Sequence, residues 1–371
     1  MRVLVIGAGV IGASTAYRLA RGGAGVTLLD RGRVGGGTSA TSFAWTNAYN
    51  KTPRVYHDLN VAGMRAHAAL RADFGGTPWW HGGGNVVVAA GEEGAAVQRR
   101  LERLRAWDYA AEEITPARLR DLEPDIPDEV LREATIAFLP DEGWIETSVY
   151  VHAMVQAAVA AGASVAAGTG VRELRRAGDR VTGVRTDAGD VHAADVVVNC
   201  AGRWAGDLGA TAGLGIPLAP NRSVLAITPP ALTRLARVVH APACQFRPDG
   251  GGRVMVQADE VDDAVTASGA SAPPVDLAAD LVRRAAALLP GLAGVNAESA
   301  RLGIRAMPAD GHSVVGPQGG VSGYYVVVTH SGVTLAPFLG AVAAEEILRG
   351  RTDARLAAFR PDRFGSSSLV S

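Results

Sequence analysis

Arg2–Ile6 is a short run of aliphatic, mostly β-branched side chains that stops at Gly7. A run of that length ended by a turn residue reads as a buried strand. Val10–Leu19 then puts apolar side chains at helical spacing, and Val26–Asp30 is a second buried run, so residues 2–30 predict a β-α-β unit. The pattern goes on to predict helices at 54–74 and 93–107, with a strand at 85–90 between them. Thr115-Pro116 marks a helix start with proline in the first turn, and Pro124 stops it. A helix at 150–161 leads into strands at 164–166, 171–174, 181–186, 191–192 and 196–199. Strands dominate from Arg222 to Val256, with turn signals at Pro229-Pro230 and Asp249–Gly252. A helix at 275–289, strands near 301–305 and 324–328 and a helix at 334–348 complete the pattern.

Alternating strands and helices at both ends, around a β-rich middle, predict an α/β fold with a discontinuous layout. One Rossmann-type domain is expected from residues 1–45, 141–213 and 300–371. The second, a β-sheet-rich α+β domain, is expected from 46–140 and 214–299.

Composition narrows the function classes. The 371 residues are 48% hydrophobic and 20% charged, with a formal net charge of -1. That balance gives no attraction to nucleic acid or to an anionic membrane. No window reaches the roughly 20 apolar residues of a membrane span. Cys200 and Cys244 are too few for a disulfide framework and lack metal-ligand spacing, so no metal and a cytoplasmic setting are expected. The glycines after Ile6 break the apolar run that a secretory signal needs. Lys51 is the sole lysine.

Gly7-Ala8-Gly9-Val10-Ile11-Gly12 follows the first strand and opens the first helix. In such a turn Gly7 allows the tight bend, Gly9 lets backbone approach a pyrophosphate, and Gly12 lets helix and strand pack closely. The helix N-terminus offers N–H groups and partial positive charge to phosphate. Asp30, ending the second strand, can accept hydrogen bonds from a ribose. The segment Gly35–Ser42 is rich in glycine and hydroxyls, suited to a phosphate and polyol chain, though also to an ordinary exposed loop.

Together with VVVNCAGRWAGDL from Val196, RLGIRAMPADGHSVVGP from Arg301, YYVVVTHSGVTLAPFLG from Tyr324 and AAFRPDRF from Ala357, these motifs resemble the D-amino acid oxidase superfamily. The resemblance covers nearly the whole chain and is strongest to its glycine oxidase and sarcosine oxidase branch. It implies a D-amino acid oxidase-like fold, with FAD in the Rossmann-type domain and the substrate against the other. It carries Gly7, Gly9, Val10, Ile11, Gly12, Asp30 and Arg31 to the cofactor. Thr38, Ser39 and Ser42 fall to the pyrophosphate and ribityl chain, and Ala44 and Trp45 to the isoalloxazine. Val171, Cys200, Ala201, Gly202 and Trp204 fall to the adenosine half. His330, Ser331, Gly332, Val333 and Thr334 precede or open the last long helix, whose N-terminus can stabilise negative charge on the reduced ring.

The same resemblance makes Arg305 the residue that holds a substrate carboxylate, which a guanidinium fork can do in bidentate fashion. Gln245 and Arg247, two apart on a strand, are expected to share a face and add contacts there, although relatives often carry a tyrosine. The implied reaction is hydride transfer from an amino acid to flavin, hydrolysis of the imine, and return of electrons to O2 as H2O2. Glycine, an N-alkylglycine or a small D-amino acid would be the substrate. Relatives that attach FAD covalently use a cysteine near the Arg305 segment; none lies there, so non-covalent FAD is expected. Relatives also use a lysine over the flavin, for which Lys51 is the sole candidate. Trp79, Trp80 and His81 could line an apolar tail pocket or belong to the core. Two other enzymes remain open: an FAD-dependent amino acid dehydrogenase with a quinone or carrier acceptor, and an NAD-linked dehydrogenase.

Overall fold

A computed structural model describes residues 1–365. Its first sheet has nine strands. Arg2–Ile6 lies at the centre, parallel to Gly25–Asp30 on one side and Val196–Asn199 on the other. Ser164–Ala167 extends the sheet beyond Gly25–Asp30. Val321–Val328 pairs in parallel with Val196–Asn199, and Val314–Gln318 turns back along it. Such parallel strands, buried on both faces, explain the unbroken apolar runs seen in the sequence. Helices Val10–Arg21, Thr147–Ala160 and Gly332–Arg349 stack on one another against this sheet. Val5, Leu19, Leu28, Tyr150, Val198, Val327 and Leu339 form part of the shared core.

The second sheet has eight strands, from Ser299–Pro308 through Leu218–Ile227, Val254–Gln257, Cys244–Pro248, Val238–Ala241, Asn85–Ala89 and Thr135–Leu139 to Glu112–Glu113. Ser299–Pro308 pairs along its whole length with Leu218–Ile227, so this sheet takes in residues to 308, past the expected boundary at 300. A three-stranded patch of Trp45–Thr46, Gly143–Ile145 and Trp80–His81 lies beside the two large sheets. Among the described residues no helix is long and apolar enough to cross a membrane.

Most expected elements are present, with ends shifted by a few residues. The sequence reading lacked the strands Thr135–Leu139, Gly143–Ile145 and Val314–Gln318 and the helix Asp259–Ser268. That helix opens Asp-Glu-Val-Asp, with acids where the macrodipole favours them, and ends at Gly269 in the left-handed region.

The last long helix contains Pro337, which lacks the N–H that would bond the carbonyl of Val333. His67, on the helix Arg54–Phe74, supplies the missing donor: its Nε2 lies 2.9 Å from Val333 O. Burial lowers the His67 pKa to about 4, so the ring is neutral and can donate from that nitrogen. A long-range side chain thus steadies the first turn of the helix that opens onto the cavity described next.

Candidate active site

Between the two large sheets runs a cavity of about 980 Å³. At one end lies the glycine turn. Gly7 has φ +98° and donates to Leu29 O at 2.7 Å; a Cβ there would come within 2.4 Å of Cys200 O. A Cβ on Gly12 would lie 1.7 Å from Gly7 O, so helix and turn meet at a distance only glycine permits. Gly12 is therefore packing, and it is the one residue of the glycine motif, besides Ala8, that does not line the cavity. Asp30 lines the wall and also fixes the turn, with Ala8 N and Gly32 N each donating to its carboxylate at 2.7 Å.

The loop after Asp30 is tied down by its hydroxyls. Ser39 Oγ accepts from Val10 N at 3.0 Å, and Thr38 donates to Ile304 O at 2.6 Å, joining the loop to the strand of Arg305. Ala44 has φ +59°, a region that costs a non-glycine residue roughly 1 kcal/mol. Its N–H donates to Ser42 Oγ and its carbonyl accepts from Ile145 N.

Ser42, Trp45, Arg31, Val171, Ala201, Gly202, Trp204 and the segment His330–Thr334 all line the same cavity. Arg31 and Arg203 both lie over the Trp204 ring, at 5.1 and 3.9 Å. Cys200 is on the wall as a small buried filler, its thiol pushed up to about 12 by burial and so protonated.

At the other end Arg305 reaches the cavity from Ser299–Pro308, paired with the buried Asp262. Burial raises Asp262 to about 6 despite the guanidinium beside it and the Val224 N–H that donates to it. Gln257 donates to Gln245, which donates to Asp259, and all three line the wall. Arg247 does not join them. Its guanidinium lies over Trp144, donates to Phe43 O and Pro248 O, and pairs with Asp249 at 3.2 Å. The expected contact of Arg247 with the carboxylate is thus corrected: it shares a strand face with Gln245, but it is 2% exposed, off the cavity wall, and spent on structure.

Trp79, Trp80 and His81 are also outside the cavity. Trp79 packs on Phe74 and Tyr150, Trp80 on His67, and His81 stacks on Trp144 at 3.9 Å.

The sequence reading missed several wall residues, among them Asn47, Asn50, Tyr56, His240, Gln257, Asp259 and His312. Their loop after Trp45 is organised by Glu142, a fully buried carboxylate. Oε1 accepts from Ala48 N (3.0 Å), Tyr49 N (2.8 Å) and Tyr109 OH (2.8 Å). Oε2 accepts from Trp45 Nε1 (3.1 Å) and Asn85 Nδ2 (3.3 Å). Burial still raises its pKa to about 7, the donors pulling it back down. The Trp45 ring thus held lies 4.2 Å from His240. His240 and His330 are both lowered to about 3 by burial, so each is neutral across the physiological range.

A family profile described as FAD dependent oxidoreductase matches residues 2–346. The chain belongs to that family. It is an amine- or amino acid-oxidising enzyme with FAD as cofactor. It is 27% identical to a glycine oxidase of Geobacillus kaustophilus over 96% of this chain and 95% of the relative. A glycine oxidase of Pseudomonas aeruginosa is 28% identical over 91% and 92%. The crystal structure of glycine oxidase from Geobacillus kaustophilus superposes with a TM-score of 0.83 and 25% identity, covering 98% of this chain and 99% of that one.

The cavity suits the family's cofactor on its own terms. Helices Val10–Arg21 and Gly332–Arg349 both open onto it without a side-chain cap from their own N-cap residues, Ser39 taking only Val10 N of the first, so both offer anion-favouring ends. A Cβ on Gly332 would meet nothing closer than Val10 at 3.6 Å, so packing within the chain does not reserve that position for glycine. His330 Nδ1 is buried without a partner. An elongated group carrying phosphates at one end and a polar ring at the other answers each of these features.

Proposed function

We propose that this enzyme oxidises the C–N bond of a small amino acid bearing a free carboxylate: glycine, an N-alkylglycine or a small D-amino acid. The observation that carries this reading is Arg305, a guanidinium on the cavity wall braced from behind by a buried acid. Relatives named glycine oxidase support it.

Gly7, Gly9 and the helix start at Val10 would hold the pyrophosphate, Asp30 the ribose, and Thr38, Ser39 and Ser42 the chain between. Ala44, Trp45 and residues 330–334 would enclose the ring, while Val171, Ala201, Gly202, Arg31 and Trp204 flank the adenosine. No cysteine stands beside Arg305, which favours non-covalent FAD. The division into a cofactor domain and a substrate domain belongs to the same reading. So does a cytoplasmic setting, where the free cysteines stay reduced.

Bound FAD supplies the two-electron acceptor for hydride from the carbon next to nitrogen. Arg305 holds the carboxylate and so sets which carbon faces the ring; positioning of this kind supplies much of a catalyst's rate. With His330 neutral, the N-terminus of Gly332–Arg349 would add positive potential where the ring is held.

The test is a visible spectrum of the purified protein, followed by oxygen-free addition of glycine, sarcosine, longer N-alkylglycines and D-amino acids. Bleaching of the yellow protein by one of these supports the reading and names the substrate. Recolouring in air identifies O2 as acceptor, with H2O2 as product; no recolouring turns the assignment to a quinone or carrier. A yellow protein that none of them bleaches overturns the substrate class.

A further inference from the structure

Lys51 enters the cavity on the loop that Glu142 organises, facing the chamber it shares with Arg305, His312 and His330. Its Nζ lies 5.9 Å from the Tyr56 ring centroid. No acid among the described residues forms an ion pair with it. Glu142 acts on it from behind, but both oxygens of that carboxylate are taken by five donors. The other acids on the wall are engaged elsewhere. Asp259 accepts from Gln245 at 3.3 Å, and Asp310 pairs with Arg363 at 2.7 Å.

Arg305 differs in this respect, because Asp262 already offsets its charge. His330, which senses both cations, is neutral. Around Arg305 the chamber therefore holds the Arg305–Asp262 pair and, in Lys51, an ammonium with no ion-pair partner among the described residues. An ammonium drawn into a cavity without a counter-ion is costly unless an anion joins it. The strain shows in its titration, which burial lowers to about 8.

We infer that Lys51 is a second recognition residue for the substrate carboxylate, supplying the net charge while Arg305 supplies the orientation. The inference rests on the amino acid reading above. It defines the substrate class by charge: a carboxylate with no additional cation on its side chain or nitrogen substituent. The groups that set the charge state of Lys51 are Glu142 and Arg305, with Tyr56 and neutral His330 beside it. Protonated Lys51 binds the anion, so affinity declines as pH rises above about 8, where Asp262 and Glu142 are already ionised.

The experiment is a titration of the FAD-loaded enzyme with acetate, followed by the change in its visible spectrum, from pH 6 to 9.5. Wild type is expected to bind progressively more weakly above about 8, beyond the range in which Asp262 and Glu142 titrate. Lys51→Gln should bind acetate about tenfold to a hundredfold more weakly at pH 7, the range of a lost charge-assisted hydrogen bond, and with no further decline. Lys51→Arg should bind as wild type does at pH 7 and keep that affinity to 9.5, which tests the assignment even if the glutamine variant fails to fold. Acetate binding in Lys51→Gln that matches wild type, or Lys51→Arg that keeps the alkaline decline, overturns the inference. If acetate binding follows Lys51 while no amino acid bleaches the flavin, the assignment of Lys51 stands and the amino acid reading fails.

Discussion

Replacing Glu142 by glutamine tests how a buried carboxylate shapes this site. The amide oxygen, placed where Oε1 sits, keeps Ala48 N, Tyr49 N and Tyr109 OH. The amide nitrogen then faces Trp45 Nε1 and Asn85 Nδ2, two donors. Asn85 can turn over, because its Oδ1 has no partner in the wild type. Trp45 Nε1 alone is left without an acceptor, a loss of about 1–3 kcal/mol at every pH. A second effect depends on pH. Glu142 titrates at 4.5 in the unfolded chain and at about 7 when folded. Because the folded state holds this proton more tightly, its contribution is complete below 4.5 and is lost as pH rises towards 7. At 1.36 kcal/mol per pH unit the decline is about 3 kcal/mol, and the glutamine variant lacks it. Denaturant unfolding of both proteins, with saturating FAD and fixed ionic strength, measures the difference. The wild-type advantage should shrink by about 3 kcal/mol between pH 4.5 and 7 and then stay level. A difference that stays constant across that window would refute the argument, and would mean that the five donors keep the carboxylate ionised throughout.

Other outcomes follow from the same geometry. Arg305→Ala should lower kcat/KM for carboxylate substrates by at least about thirtyfold, since it also strands the buried Asp262, while the protein stays yellow; near-normal steady-state turnover would sink the assignment. Gly12→Ala, with its Cβ 1.7 Å from Gly7 O, should yield protein that is insoluble or has lost its 450 nm absorbance. His67→Phe leaves Val333 O without its donor, so FAD should bind more weakly and the melting temperature should fall, by about 1–3 kcal/mol of stability. His240 and His330 titrate near 3, so a kcat/KM profile should show no inflection between pH 5.5 and 7 that either His→Asn substitution removes.

The cofactor half of the cavity was legible because its constraints are local. Gly7, Gly12 and Asp30 each answer a neighbour within one β-α-β unit, and spacing alone exposes them. Arg305 was found through its resemblance motif, but its brace was not: Asp262 lies 43 residues away on a helix whose polar composition hid its period. Glu142 gives no sequence signal either, since its donors come from residues 45 to 109 and only the folded chain assembles them. Arg247 was misjudged because alternation along a strand tells which residues share a face, and not which of them a neighbouring layer covers. Phe43 and Trp144, from two separate segments, cover it.

The pairing of Val321–Val328 beside Val196–Asn199 has a consequence for synthesis. The strand that carries the chain to His330 is made more than 300 residues after Arg2–Ile6, yet it joins the same sheet. At 5–20 residues per second, roughly 15 to 65 seconds pass between emergence of the first strand and arrival of its distant sheet-mate. For roughly the last 6 to 26 seconds of that interval Val196–Asn199 presents an unpaired apolar edge. Stable FAD retention should therefore wait for Val321–Val328, and dependence on chaperones should be greatest just before that strand emerges.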